Sequence, residues 1–282
     1  MTFSLVGRSP DGRTLGVAVA SKFLAVGAYV PAAAAGVGAL ATQADVNLAL
    51  RRRGLDLLAG GAAAEEVLPR FFADDPQREE RQAGVVDARG GTSTWTGSRC
   101  LAWAGGRTGQ GPEGSFAAQG NILTGPEVVD AMVDAWLAGA GEPSMARRLL
   151  AVLAAGDAAG GDRRGRQSAA ILVVAPGAGY GGLSDVEVDL RSDDAPEPIT
   201  ELSRLLDLHQ LYFGSTPQDE LLPLDASLAA ELARRLSGLG YDPGEVERNL
   251  YDWMGRENFE ARWHDGTVDP VVLAHLRAVT GG

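Results

Sequence analysis

Hydrophobic and polar positions alternate from the second residue of the chain. Thr2–Arg8 (TFSLVGR) and Leu15–Ser21 (LGVAVAS) carry the period-two pattern of strands, with the turn signal Ser9-Pro10-Asp11-Gly12 shortly after the first. Residues 36–44 (GVGALATQA) predict a third strand, after which the period changes. Residues 46–61 and 62–76 space their apolar positions as helices do, the first with a glycine stop. Residues 81–97 predict a hairpin turning at Asp87–Gly91, and residues 115–121 (SFAAQGN) predict another strand. Helices follow over 125–139, opened by Gly125-Pro126-Glu127, and over 143–156; strands follow over 167–175 and 185–191. Chain termini usually fray, so a core strand that begins at residue 2 raises the question of what holds Thr2 in place.

The order is strands, two helices, strands, two helices, strands. It predicts an α+β fold in which helix layers cover packed, largely antiparallel sheets. The polar, proline-containing stretch SDDAPEP (192–198) reads as a linker. Beyond it the pattern is helical, over about 199–212, 225–239, 244–254 and 270–279. The expected domains are therefore residues 1–195 and a small α-helical domain over 199–282.

Composition narrows the functions. The net charge of -12 over 282 residues disfavours nucleic acid and anionic membranes as partners and leaves a small molecule as the expected one. Residues 15–44 are apolar, but Ser21, Lys22, Pro31 and several glycines interrupt them, so buried strands are expected rather than a spanning helix. Cys100 is the only cysteine, and no signal-peptide pattern opens the chain; a cytoplasmic location is expected. All three histidines, His209, His264 and His275, fall late, so the first two thirds hold neither a serine–histidine triad nor a histidine-ligated zinc. No metal and no cofactor is expected. Residues 109–114 (GQGPEG) match a dinucleotide fingerprint in letters only. No helix follows Pro112 and Gly114, and a glycine-rich loop is expected there.

Lys22 is the only lysine beside 24 arginines. Lysine is compact and its charge responds to burial, whereas arginine stays protonated and needs a broad fork of partners. If residues 9–12 close the first hairpin, cross-strand pairs sum to about 21–23 and Thr2 faces Ala20–Lys22. Met1 precedes a threonine, a small residue before which the initiator is commonly removed. Removal exposes a hydroxyl and an α-amine on one residue, and an amine of pKa about 7.7–8.0 accepts a proton near neutrality. Thr2 is thus a candidate nucleophile, Lys22 its electrostatic activator and Ser21 a candidate proton relay, with an ordinary strand-end serine the alternative. Asn121 is a candidate oxyanion donor or a turn residue. Gln43, Asn47 and Gln119 are candidate substrate amides, although Asn47 equally suits a helix cap. The loop GGDRRGRQS (160–168) gathers Asp162, Arg163, Arg164, Arg166 and Gln167. Its arginine forks suit a substrate carboxylate, with Asp162 orienting substrate or amine.

The stretches TFSLVGR, GVAVASKF, VGAYVP, GVGALATQA, RQAGVVD, AAQGNIL and AGGDRRGRQSAA together resemble an uncharacterised family assigned to the Ntn (N-terminal nucleophile) hydrolase superfamily. The resemblance spans about residues 2–191. It implies an αββα four-layer sandwich and hydrolysis of an amide-like C–N bond through Thr2; a non-catalytic binding or scaffold protein on that fold is the alternative. GPEGS (111–115) departs from the family pattern as a longer loop, which leaves the shape of the pocket rim open. Residues 215–282, with WMGRENFEAR, resemble a peptidoglycan-binding-like helical module in which Trp253, Asn258 and Arg262 are the distinctive positions. In a cytoplasmic protein, docking or homodimerisation is expected of it ahead of glycan binding.

Overall fold

A computed structural model describes residues 2–281. The chain divides into two compact units, Met1–Leu206 and Asp207–Gly282. The sequence reading puts a linker at 192–198. In the structure those residues close a strand and enter a helix, Pro198–Phe213, and the division falls inside that helix.

In the first unit, β1 (Thr2–Arg8), β2 (Leu15–Ser21), β3 (Pro31–Ala34), β4 (Gly38–Ala44), β5 (Arg81–Asp87), β6 (Thr92–Thr96), β7 (Gly105–Gly111), β8 (Gly114–Asn121), β9 (Ser168–Val174) and β10 (Val186–Ser192) form two sheets. One runs β10-β9-β2-β1-β8-β7 and the other β3-β4-β5-β6, with every pair antiparallel. Helices α1 (Ala49–Ala59) and α2 (Ala64–Phe72) fall between the first strands, and α3 (Glu127–Ala138) and α4 (Met145–Ala158) between β8 and β9.

Strand alternation divides the apolar residues into three seams. Phe3, Leu5, Ala18, Ala20, Phe116 and Ala118 pack with Met132, Trp136, Leu149 and Leu153 of α3 and α4. Val6, Val17, Val19 and Ala117 turn the other way and meet Ala39, Ala41 and Val86 of the second sheet. Leu40, Ala83 and Val85 face Leu50, Leu58, Val67 and Phe71 of α1 and α2. Each fully buried valine, leucine or phenylalanine contributes about 1.5–3 kcal/mol over its exposed state. Arg148 of α4 closes the end of α3: it is buried, donates to the Trp136 carbonyl and stacks 3.5 Å from the indole centroid. Burial lowers its pKa to about 10.

Two strands escaped the pattern. The alanines of β3 do not alternate, and they pair with β4 in a hairpin whose tip is Ala35–Val37. β7 (GGRTGQG) includes the glycines expected to form a loop. Glycine is a poor strand former, but here it admits a neighbour: a Cβ on Gly109 would lie 2.4 Å from the Phe116 ring. Pro112 and Glu113 make a tight turn at the Arg8 end of β1, so the GPEGS departure lies at the far end from Thr2.

The second unit contains α6 (Ala226–Gly238), α7 (Val246–Arg256) and α8 (Pro270–Thr280), with the end of α5 (Pro198–Phe213) packed beside them. Its core centres on Leu232, Leu250, Trp253, Phe259 and Leu276. Arg262 is buried, pairs with Asp269 at 2.8 Å and caps α5 by donating to the Gln210 and Leu211 carbonyls, each at 2.6 Å. Trp253 is buried against Phe259, and exposed Asn258 takes the left-handed conformation after α7. The three distinctive positions of this module are thus occupied in building its fold.

Candidate active site

The β1–β2 register pairs Thr2 with Ser21, and the β1–β8 register pairs Thr2 with Asn121. Thr2 therefore begins a central strand, held on both sides. Phe3 and Leu5 face the helices, so alternation turns Thr2, Ser4, Ser21, Gln119 and Asn121 into the gap between the sheets. The Thr2 hydroxyl lies 3.0 Å from the Ser21 hydroxyl, and both residues are buried.

From the opposite sheet come Gln43 of β4 and Gln82 of β5, both fully buried. Gln43 Nε2 donates to the Thr2 carbonyl at 3.2 Å and to Gln82 Oε1 at 2.8 Å, while its Oε1 accepts from Ser4 Oγ at 2.6 Å. Gln119 Nε2 donates to Ser4 Oγ at 2.6 Å. Its side chain fills the space opposite Gly84, where a Cβ would lie 2.0 Å from Gln119 Oε1. Asn121 Nδ2 donates to Gln82 Oε1 at 2.9 Å. Buried amides need partners, and these supply one another except at Gln119 Oε1, which is buried without a hydrogen-bond partner among the described residues. Strand period turns both candidate substrate amides inward: Gln43 links the two sheets, and Gln119 bonds Ser4 of its own sheet while packing against Gly84 of the other.

Lys22 follows Ser21, and its side chain is exposed. Its backbone N–H donates to Asp162 Oδ2 at 2.8 Å and its Nζ to the Arg166 carbonyl at 3.2 Å. The hydroxyl touching Thr2 is therefore Ser21's, and the ammonium sits on the 160–168 loop. Asp162 is buried, bridges to Leu123 and accepts from the Arg164 backbone at 2.8 Å. Arg166 reaches Asp157 at 2.9 Å and Glu197 at 2.7 Å. Arg163 donates to the Leu123 carbonyl and Gln167 to Asp194. Asn47 donates to Asp75 at 2.8 Å and accepts from the Ala49 backbone at 3.2 Å, which caps and tethers the start of α1. Burial opposes ionisation of Asp75, but hydrogen bonds from Arg81, Asn47 and Gln77 outweigh it and lower its pKa.

A cavity of about 270 Å³ opens beside this loop, lined by Asp157, Gly160, Asp162, Gly165, Arg166 and Pro196. Two carboxylates and one guanidinium line it, so of the loop's arginines only Arg166 faces this cavity. Among the described residues no group of three or more histidines, cysteines or carboxylates is arranged to hold a metal ion. No helix of the described residues is long and apolar enough to cross a membrane.

A family profile described as a family of unknown function, DUF1028, matches residues 2–202. The chain belongs to this family. The crystal structure of protein SPO2555 from Silicibacter pomeroyi, titled as a DUF1028 protein, is similar at 30% identity and a TM-score of 0.66, covering 74% of this chain and 89% of that one. A second profile, "Putative peptidoglycan binding domain", matches residues 212–276, beyond the DUF1028 region. No curated protein matches the chain. The DUF1028 region contains every candidate residue named above.

The sequence reading passed over Gln82. A signal was present: RQAGVVD and GALATQA each place one amide, and AAQGN two, at one end of a strand rich in small and apolar residues. Four such amides at inward positions mark a shared polar layer.

Proposed function

We propose that the chain is an Ntn-type amidohydrolase that cleaves an amide-like C–N bond of a small, carboxylate-bearing molecule, with Thr2 as nucleophile. The observation that carries this reading is the placement of Thr2 at the start of a central strand, its Oγ1 3.0 Å from Ser21 Oγ and its cross-strand partner Asn121. The three apolar seams support an αββα sandwich of that superfamily. The chemistry needs no imidazole, in keeping with a first unit free of histidine through residue 206.

The reading requires loss of Met1, which lies outside the described residues. The Thr2 α-amine then takes the Oγ1 proton, directly or through Ser21, as Oγ1 bonds to the substrate carbonyl carbon. Asn121 Nδ2 donates to the developing oxyanion. The C–N bond breaks, and the departing nitrogen takes the proton from the α-ammonium. Water attacks the resulting ester, gives its proton to the amine, and Thr2 Oγ1 leaves as hydroxyl. Lys22, which has no ion-pair partner among the described residues, supplies the cation for a substrate carboxylate and a positive field at the mouth of the site. The adjoining cavity, held to Lys22 through Asp162 and Arg166, accommodates the rest of a small substrate.

One observation favours a non-catalytic binding role: Thr2 is only 7% exposed. The mass of the N-terminal peptide of purified protein decides first. The expected peptide begins at Thr2; retention of Met1 throughout the sample overturns the nucleophile and leaves the binding role.

A further inference from the structure

Gln82 reaches from the second sheet to the end of β8, and its surroundings allow only one orientation of its amide. Its Nε2 lies 2.7 Å from the Gly120 carbonyl and 3.3 Å from the Gly105 carbonyl, with Thr96 Oγ1 at 3.0 Å. Backbone carbonyls only accept, so the NH₂ group must face them. Gln82 Oε1 must then face the other way, toward Gln43 Nε2 at 2.8 Å and Asn121 Nδ2 at 2.9 Å. An acceptor in that position obliges Asn121 to offer its own NH₂. One Nδ2 hydrogen is used on Gln82, and the same nitrogen carries a second.

We propose that Gln82 is a positioning residue that sets the polarity of the Asn121 amide, keeping an N–H donor beside Thr2. This rests on the proposed role of Asn121 as oxyanion donor. The polarity originates in the Gly120 and Gly105 carbonyls, passes through Gln82 and ends at the site. Among the described residues Gln82 Oε1 is the hydrogen-bond partner that distinguishes the two ends of the Asn121 amide, and a rotated amide would present an oxygen to a developing negative charge. Gln82 is fully buried on the opposite sheet, and beside Asn121 its Oε1 also accepts from Gln43 Nε2.

The test uses full-length, Met-free protein and p-nitrophenyl acetate as acyl donor, with the release of one equivalent of p-nitrophenolate followed at varied donor concentration and pH. Gln82→Leu, close in shape and without polarity, is expected to lower the maximal acylation rate about 100-fold, as for loss of an oxyanion-hole donor, with the half-saturating concentration unchanged. Gln82→Glu keeps an oxygen that accepts from Asn121 in either protonation state, so it is expected to hold the Asn121 polarity and to acylate faster than Gln82→Leu at every pH. A purely structural Gln82 would lower the melting temperature while leaving the acylation rate of folded Gln82→Leu at the wild-type value, and that result overturns the proposal. If Gln82→Leu fails to fold, Gln82→Met, which also lacks the amide oxygen, takes its place with the same two outcomes. The Asn121 side-chain NH₂ resonances give a readout independent of the nucleophile: a shift in Gln82→Leu is expected, and unchanged resonances overturn the proposal. If wild-type protein is not acylated at Thr2, the nucleophile reading fails, and the resonances still decide whether Gln82 orients Asn121.

Discussion

Thr2 is held by three groups that do different jobs. Its carbonyl accepts from Gln43, its strand neighbours fix the backbone on both sides, and its hydroxyl touches Ser21. Holding a nucleophile on regular strands places it more accurately than a loop would. The contact with Ser21 gives that residue a role distinct from Lys22's. Ser21→Ala is expected to lower the acylation rate by about 100-fold, the lower end for loss of a positioned proton-transfer group, with little change in thermal stability because the alanine fits where a small side chain stood; an unchanged rate would remove Ser21 from the proton path. The Thr2–Ser21 contact was nearly legible in the sequence: the turn signal limited the pair sum to 21–23, and the observed register sums to 23. Which side chain meets Thr2 was less legible. A shift of one residue exchanges Ser21 for Lys22 and moves every side chain to the other face.

At the scale of elements, alternation showed β1, β2, β5 and β8, because each buries one face on helices and the other on a sheet. It could not show β3 and β7, whose alanines and glycines have no contrast to alternate and whose partners supply the order. The glutamines show the converse: their inward facing was legible, but that they meet across the gap depends on how the two sheets stack. In the second unit, Glu231 of α6 accepts from Arg277 of α8 at 2.8 Å and from Arg235 at 2.8 Å. These bonds lower the Glu231 pKa from an ordinary 4.5 to about 2. A depressed carboxylate stabilises the fold above its unfolded pKa and loses that contribution as pH falls through the folded value. The α6–α8 clamp is therefore expected to be intact above about pH 4.5 and to be lost as pH falls toward 2. Glu231→Gln is expected to cost about 1 kcal/mol at neutral pH, as for a partly exposed ion pair in good geometry, with the gap from wild type closing in acid. Urea unfolding of both proteins across that pH range measures it, and a gap independent of pH would show that the pair does not act through charge.

For the whole molecule, the acidic surface and the arginine-rich composition have one joint consequence. The arginines near the site are already committed: Arg166 to Asp157 and Glu197, Arg164 to Asp162. Among the described residues the one lysine of the chain reaches a backbone carbonyl and no carboxylate with its ammonium. In a protein of net charge -12 that single ammonium follows Ser21 in the chain and lies against the 160–168 loop, where the proposed reaction uses it to meet a substrate carboxylate. The central claim is that Thr2, once first in the chain, becomes acylated on its own hydroxyl. Peptide mapping of protein treated with p-nitrophenyl acetate, beside Thr2→Val, tests this most directly. The account predicts one acetyl group on the Thr2 residue of the wild type and none at that position in Thr2→Val, which keeps the amine and lacks the hydroxyl. Equal labelling of both proteins, or a wild-type N-terminus that stays unlabelled, would contradict it.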